Sequence, residues 1–248
     1  MQSGVARRRG ALLSLLATAM LAATVTPAQA GPPATVAALA RLSNLRTVSR
    51  WAYPNYQAPV HAYASAGSRV IGHLRFLTVD DQAELYVALV SARMSSGRTW
   101  VEIELPARPN GQTGWVPRSA LDSLHTVNGY LLVDRTTLQA KLFRNGRAVF
   151  SAPIGVGKVS TITPPGNFYV MEKLVTLNDP AYGPLALGTS AYAPTLSEWP
   201  GGGIVGIHGT DEPQLIPGRP SHGCIRMRNA DIERLWSLIS VGTPIEIA

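Results

Sequence analysis

The sequence predicts a mainly β, loop-rich, folded protein in two parts. The chain of 248 residues is 46% hydrophobic and 15% charged, a balance that supports a buried core and does not suit a disordered chain. Its 23 glycines and 19 prolines are scattered without a period, which reads as frequent turns and not as a repeat. Short β-like runs dominate the chain, with one clear amphipathic helix near the C-terminus.

Residues 1–30 read as an export leader. Arg7-Arg8-Arg9 form a basic start, residues 11–25 a small-residue-rich apolar run, and Ala28-Gln29-Ala30 a small-x-small cleavage site. The apolar run falls short of the roughly 20 residues of a membrane span. No later segment competes, so no transmembrane helix is expected in the mature protein; an uncleaved N-terminal anchor is the alternative. Paired arginines keep a twin-arginine route open beside the general secretory one. Cleavage removes three of the charges behind the formal +7. The modest excess left favours an anionic envelope over nucleic acid, for which no basic stripe or aromatic platform is present.

Residues 31–47, rich in Ala, Pro and Thr, read as a linker with a short helix at 35–42. Residues 48–125 break into β-like runs at 60–63, 70–76, 83–90 and 99–105, separated by turn signals such as Ala66-Gly67-Ser68 and Pro109-Asn110-Gly111. About five short strands in this span suggest a small barrel. The run from Pro109 through Gly114-Trp115-Val116 resembles the closing strand of bacterial SH3-like domains. His61, His73 and His125 each stand alone and read as surface or structural residues. This half is either a binding module or a spacer.

Residues 126–248 form the second domain. Strands at 130–134 and 138–144 precede Asn145-Gly146, whose tolerance of positive φ suits a type I′ hairpin turn, and the return strand runs over 148–156. Gly155-Val156-Gly157-Lys158 lacks the spacing and the following helix of a phosphate-binding loop. Thr163-Pro164-Pro165-Gly166-Asn167-Phe168 leads into another strand. Residues 175–202, broken by proline and glycine and carrying Tyr182, Tyr192 and Trp199, read as a lid or an irregular surface excursion. Ile232, Leu235, Trp236 and Ile239 make the apolar stripe of a helix over 229–239, with Asn229 as N-cap, Asp231 and Glu233 near its start and Gly242 beyond its end. Residues 243–247 supply a last strand.

Chemistry concentrates around the one cysteine. In an exported chain an unpaired Cys224 is a buried filler, an intermolecular bridge or a reactive thiol. It sits in Ser221-His222-Gly223-Cys224-Ile225-Arg226-Met227, ten residues after Gly206-Ile207-His208-Gly209-Thr210. Both runs read as short strands joined by a loop at 211–220. Alternation sorts His222, Cys224 and Arg226 onto one face and Gly223, Ile225 and Met227 onto the apolar other. A thiol on a polar face beside a base or a positive charge is activated as a nucleophile. Cross-strand opposition makes His208 the expected base, with His222 orienting the site. Gly223 opens the approach to the backbone, and the N–H groups of Gly223 and Cys224 are candidate oxyanion donors. Arg226 suits a substrate carboxylate. Two histidines and a cysteine are zinc-ligand types, but no fourth ligand or carboxylate pattern recurs nearby, so no metal is expected.

The stretch from His208 to Met227 resembles the active-site signature of the L,D-transpeptidase (YkuD-like) catalytic domain family. The likeness extends to the runs at 155–158 and 163–168 and so covers about residues 127–248. Another form of that signature carries Asn where this chain has Arg226, which leaves branch and acceptor preference open. The resemblance implies a β-sandwich catalytic domain that cross-links peptidoglycan stem peptides through a thioester on Cys224. His208 is then the base; His222 and Gly223 complete the catalytic set, and Arg226, Ser221, Gly209, Thr210, Trp199 and Tyr182 contact substrate. It also implies acylation by carbapenem-type β-lactams and no cofactor. The rivals are hydrolysis of the same thioester, which makes an L,D-carboxypeptidase, a non-catalytic peptidoglycan-binding protein, and a cysteine peptidase acting on proteins.

Overall fold

Short runs of β-branched, aromatic and small apolar residues pair into two sheets. The structure, a computed structural model, describes residues 35–176, 179–196 and 200–248, and the expected leader lies outside the described residues. The first sheet comprises β1 (Val36–Arg41), β2 (Ser49–Ala52), β3 (Pro59–His61), β4 (Val70–His73), β5 (Tyr86–Met94), β6 (Thr99–Glu104), β7 (Thr113–Pro117) and β8 (His125–Val127). Its hydrogen-bonded path runs β4-β3-β7-β6-β5-β2-β8, with β1 laid on β5. Val60, Leu74, Tyr86, Val101, Ile103 and Val116 fill its core.

Two features depart from expectation here. The helix expected at 35–42 is the strand β1, antiparallel to β5. All six of its residues are exposed, so ladder hydrogen bonds hold it, and an open sheet edge outweighs the local helix preference of alanine. Strands β2 and β8, too short to read from alternation, pair with each other, and β8 spans the boundary expected at 125/126.

The second sheet holds β9 (Gly129–Asp134), β10 (Gln139–Arg144), β11 (Arg147–Pro153), β12 (Gly155–Gly157), β13 (Gly166–Val175), β14 (Leu185–Tyr192), β15 (Ile204–His208), β16 (Gly218–Ser221), β17 (Ile225–Arg226) and β18 (Pro244–Ile247). Its order is β11-β10-β9-β18-β13-β14-β15-β17-β12-β16. The β10–β11 turn has Asn145 at φ 49° and Gly146 at φ 76°, as a type I′ turn requires. Strand β13 is the hinge of the sheet. Its first four residues pair with β18 and its remainder with β14, with a register shift between Val170 and Glu172. The two halves thereby enclose one core, in which Leu131, Val133, Leu142 and Phe150 meet Leu187, Val205, Ile207 and Ile225.

Strand β14 corrects the reading of 175–202 as one long lid. Its residues 186–191 are all buried, so it shows no alternation and its apolar run is hidden between prolines and glycines. The helix α1 (Asn229–Leu238) buries Ile232 and Leu235 in the same core. Asn229 is not its N-cap: Arg228 takes that position without a side-chain cap, while Asn229 Oδ1 accepts the Thr210 N–H at 2.9 Å. At the other end Lys173 Nζ donates to Trp236 O (2.6 Å) and Ile239 O (3.1 Å) and sits 3.8 Å over the Trp236 ring, matching a cation to the helix C-terminus.

The two sheets share a third cluster. Trp51, Leu85 and Val87 from the first pack on Tyr169 and Met171 from the second, and Tyr169 donates to Leu85 O at 3.2 Å. Gly242 permits this contact: its φ is 75°, and a Cβ there would lie 2.0 Å from Trp51 Cδ1. The loop between β6 and β7 adds a reciprocal pair, Asn110 Nδ2 to Tyr192 O (2.8 Å) and Tyr192 N to Asn110 Oδ1 (2.9 Å). The lone histidines are structural or exposed. His61 hydrogen-bonds Ser68 O and meets Trp100 edge-on, His125 stacks on Trp51, and His73 is exposed.

Buried carboxyls along this contact make stability depend on pH. Burial pushes Glu104 up to about 8, against the lowering effect of its hydrogen bond from Ser190, and burial also raises Glu84 and Glu172. A raised acid pKa means that the folded state holds protons the unfolded chain has released. Their stabilising effect is full below the unfolded values near 4.5 and is lost as pH rises through the folded ones. Thermal melts should therefore fall in midpoint from pH 5 to pH 9. Glu104→Gln should flatten the upper part of that decline, and an unchanged slope would refute the assignment.

Candidate active site

Strands β15 and β17 run parallel, with Ile207 beside Ile225 and His208 beside Arg226. The runs expected to pair therefore do so, but His208 is the register partner of Arg226, not of Cys224. Cys224 lies level with Gly206, whose N–H points at the thiol sulfur at 3.4 Å. Residues 222–224 are not strand, yet burial still alternates: His222 is exposed, Cys224 and Arg226 half-buried, and Gly223, Ile225 and Met227 buried. The outward face expected from the sequence survives the break.

That break is a tight turn held by hydroxyls. Ser221 Oγ accepts the Gly223 N–H (3.2 Å) and donates to Cys224 O (2.5 Å). Thr163 Oγ1 donates to Gly223 O (2.8 Å) and accepts the Gly157 N–H (2.9 Å). Gly223 has φ 132°, and a Cβ there would lie 3.3 Å from Ala193 Cβ, so any side chain strains the turn. The Gly223 N–H is consumed by Ser221, which corrects its reading as an oxyanion donor. The Cys224 N–H, without a partner among the described residues, remains available for that role. Thr163, 1% exposed, is a positioning residue the sequence reading missed, because its proline-rich run gave no sign of reaching the cysteine turn.

His208 is 4% exposed, with Nδ1 2.6 Å from Gly209 O and its ring 4.6 Å from that of Tyr182. A carbonyl only accepts, so Nδ1 carries the hydrogen and the neutral ring keeps its lone pair on Nε2. Burial pushes His208 down to about 4, the Gly209 carbonyl acting the other way. Burial raises the Cys224 thiol, outweighing the Gly206 N–H and the Arg226 charge that favour thiolate. The sequence placed a positive charge beside the cysteine without showing that burial wins. Both directions favour a neutral thiol and a neutral imidazole at rest.

Cys224, His208, His222, Arg226, Ser221 and Tyr182 line one cavity of about 320 Å³ together with Asp179, Leu196 and Ile204. The two ends of the segment expected as a lid do border it, although its middle is core strand. Arg108 from the first sheet ties one end down, donating to Ala193 O, Leu196 O and Gly202 O at 2.7–3.2 Å. Arg226 is neither solvated nor free: Nη1 pairs with Glu212 at 2.8 Å, while Nε is buried without a partner. Gly209 and Thr210 are not brought into the cavity. Gly209 packs where a Cβ would be 2.4 Å from Asn229 Oδ1, and buried Thr210 accepts the Glu212 N–H. Trp199 lies outside the described residues. Among those residues no three His, Cys, Asp or Glu side chains converge as a metal site, and no helix is long and apolar enough to cross a membrane.

A thiol and an imidazole with a basic nitrogen, sharing one cleft of a β-rich domain, form the constellation of cysteine acyl-transfer enzymes. Residues 128–247 match the L,D-transpeptidase catalytic domain. The Bacillus subtilis protein named as an L,D-transpeptidase, YkuD, is 33% identical over 148 residues, covering 58% of this chain and 83% of that protein. Its Bacillus licheniformis namesake is 36% identical over 107 residues, 43% of this chain and 58% of that protein. A crystal structure of an Enterococcus faecium L,D-transpeptidase is 25% identical with a TM-score of 0.37, the match spanning 48% of this chain and 49% of that one. The chain belongs to the L,D-transpeptidase family.

With both partners neutral at rest, alkylation of Cys224 by iodoacetamide should keep accelerating above pH 9, since the thiol titrates above its ordinary value of roughly 8.5. The single cysteine makes the readout unambiguous. A plateau near pH 6–7 would instead reveal a preformed thiolate–imidazolium pair.

Proposed function

We propose that the protein is an exported L,D-transpeptidase that cross-links peptidoglycan stem peptides in the cell envelope through a thioester on Cys224. The observation that carries this reading is the shared cavity of Cys224 and His208, in which the Nδ1 contact with Gly209 O leaves Nε2 basic. Substrate binding drives the proton transfer: His208 Nε2 takes the thiol proton as sulfur attacks the donor carbonyl. The C–S bond forms, the bond to the terminal D-alanine breaks, and His208 returns the proton to the leaving amine. An acceptor amine then adds to the thioester carbonyl, its proton passes to His208, and the thiol is regenerated.

The Cys224 N–H serves as the donor to the developing oxyanion. Arg226, held on one side by Glu212, binds a stem-peptide carboxylate through its remaining N–H groups, Tyr182 packs the substrate against the imidazole, and His222 orients the exposed side of the site. Ser221 acts by holding the turn. The leader at 1–30 directs export, residues 48–125 form an SH3-like module, and residues 126–248 form the catalytic domain. Carbapenem-type β-lactams acylate the same sulfur.

The test is mass spectrometry of the protein incubated with a disaccharide-tetrapeptide, beside Cys224→Ala. Cross-linked dimers with loss of D-alanine, abolished in the variant, are expected. Tripeptide alone would make the enzyme a carboxypeptidase. The absence of both turnover and a carbapenem adduct on Cys224 would leave a peptidoglycan-binding protein.

A further inference from the structure

A second cavity, of about 280 Å³, meets the first at Cys224, His208 and Tyr182 and extends away beneath Glu172 and Asp80. Its floor follows from strand register. Glu172 on β13 pairs with Gly188 on β14, which pairs with Gly206 on β15, and Gly206 donates to the Cys224 sulfur. Adjacent strands lie about 4.8 Å apart, so the Cα atoms of Glu172 and Gly206 are separated by about 10 Å. Both intervening positions are glycine, which leaves a trough without side chains from the carboxyl to the thiol. A Cβ on Gly188 would lie 2.4 Å from Glu172 Oε1, so the carboxyl reaches over that glycine toward the cysteine.

Glu172 is 2% exposed. Its Oε2 accepts the Thr78 hydroxyl at 2.6 Å, but Oε1 is buried with no partner. Burial and the neighbouring Asp80 carboxyl both disfavour the charged form of Glu172, so a cation entering between the two carboxyls would stabilise them and satisfy this oxygen. The described lining residues include a second carboxyl, Asp80, and no lysine or arginine, whereas the first cavity contains Arg226. The trough therefore selects a cation small enough to lie over two glycines.

We propose that this second cavity is the acyl-acceptor subsite, in which Glu172, assisted by Asp80, binds the primary ammonium of the incoming amine. The inference rests on the acyl-enzyme reading of Cys224. The ammonium gives one proton to the Glu172 carboxylate, and the freed lone pair forms a C–N bond with the thioester carbonyl. The adduct's nitrogen loses its second proton through His208 to sulfur as the C–S bond breaks, leaving amide and thiol; Glu172 then releases its proton to solvent. The first cavity, with its arginine, is left for the donor stem. The first sheet thereby contributes to chemistry, since Asp80 and Thr78 precede β5.

The experiment measures how the acyl-enzyme formed from a disaccharide-tetrapeptide partitions between an added primary amine, glycinamide, and water. Full-length protein, Glu172→Gln and Asp80→Asn are compared. Glu172→Gln should lower the aminolysis-to-hydrolysis ratio by about tenfold, with a raised KM for glycinamide, and Asp80→Asn by roughly threefold. The acyl-enzyme mass on Cys224 normalises each measurement. An unchanged ratio in both variants, or loss of acylation in step with aminolysis in folded Glu172→Gln, would overturn the proposal. If Glu172→Gln fails to give a cooperative melt, the exposed Asp80→Asn decides. Absence of any acyl-enzyme in the unaltered protein would instead refute the reading of Cys224 on which this one rests.

Discussion

The site depends on a parallel ladder of two residue pairs between β15 and β17. Pairing Ile207 with Ile225 buries both isoleucines in the catalytic core, and this apolar anchor fixes the register of everything beside it. One residue earlier in each strand stand Gly206 and Cys224; one residue later stand His208 and Arg226. A slip by one residue would turn Cys224 into the core and expose the isoleucine. The register is therefore enforced by hydrophobic burial, while the hydroxyls of Ser221 and Thr163 set only the local turn.

Burial governs the electrostatics in turn. The walls that hold the thiol and the imidazole in place also strip them of water, so the charged form of each is disfavoured and the pair rests neutral. Arg226 beside His208 works against an imidazolium there, and its own charge is balanced by Glu212. The Gly206 N–H and Arg226 favour the thiolate and the Gly209 carbonyl favours the imidazolium, but burial outweighs them. A neutral pair is less reactive toward stray electrophiles, and a substrate that brings its own polar groups into the cleft changes that balance locally.

Much of this was legible in the sequence, and the limits have physical causes. The spacing of His208, Cys224 and Arg226 announced a polar face, because period-two alternation is a property of the local chain and survives the break at 222–224. The I′ turn at Asn145-Gly146 and the helix stripe of Ile232, Leu235 and Ile239 are also local. Pairing partners are not. Whether two strands run parallel, and in which register, depends on the loop between them, so the sequence places His208 opposite the cysteine whereas it stands one step beyond it. Strand β14 was missed because burial on both faces erases alternation, and β1 because an exposed edge strand is held by backbone bonds that leave no mark in side-chain pattern. Thr163 and Glu172 meet their partners Gly223 and Thr78 only through contacts more than fifty residues away in the chain.

The first sheet is more than a neighbour of the site. Read alone, residues 48–125 offered a binding module or a spacer, since no cluster of reactive side chains occurs there. In the folded chain, Arg108 ties the loop end at Ala193 and Leu196 that borders the first cavity, and Thr78 and Asp80 meet Glu172 at the second. These single polar residues lie in loops, and each acts on a partner in the other sheet. They are brought into place by the apolar contact of Trp51, Leu85 and Val87 with Tyr169 and Met171, not by any local signal. A sheet docked through a shared core holds its loops in fixed positions, and fixed loops exclude water from a cleft far better than mobile ones. For the acyl-enzyme proposed on Cys224, exclusion of water is what separates transfer to an amine from hydrolysis, and the docking of the first sheet would bear on that choice.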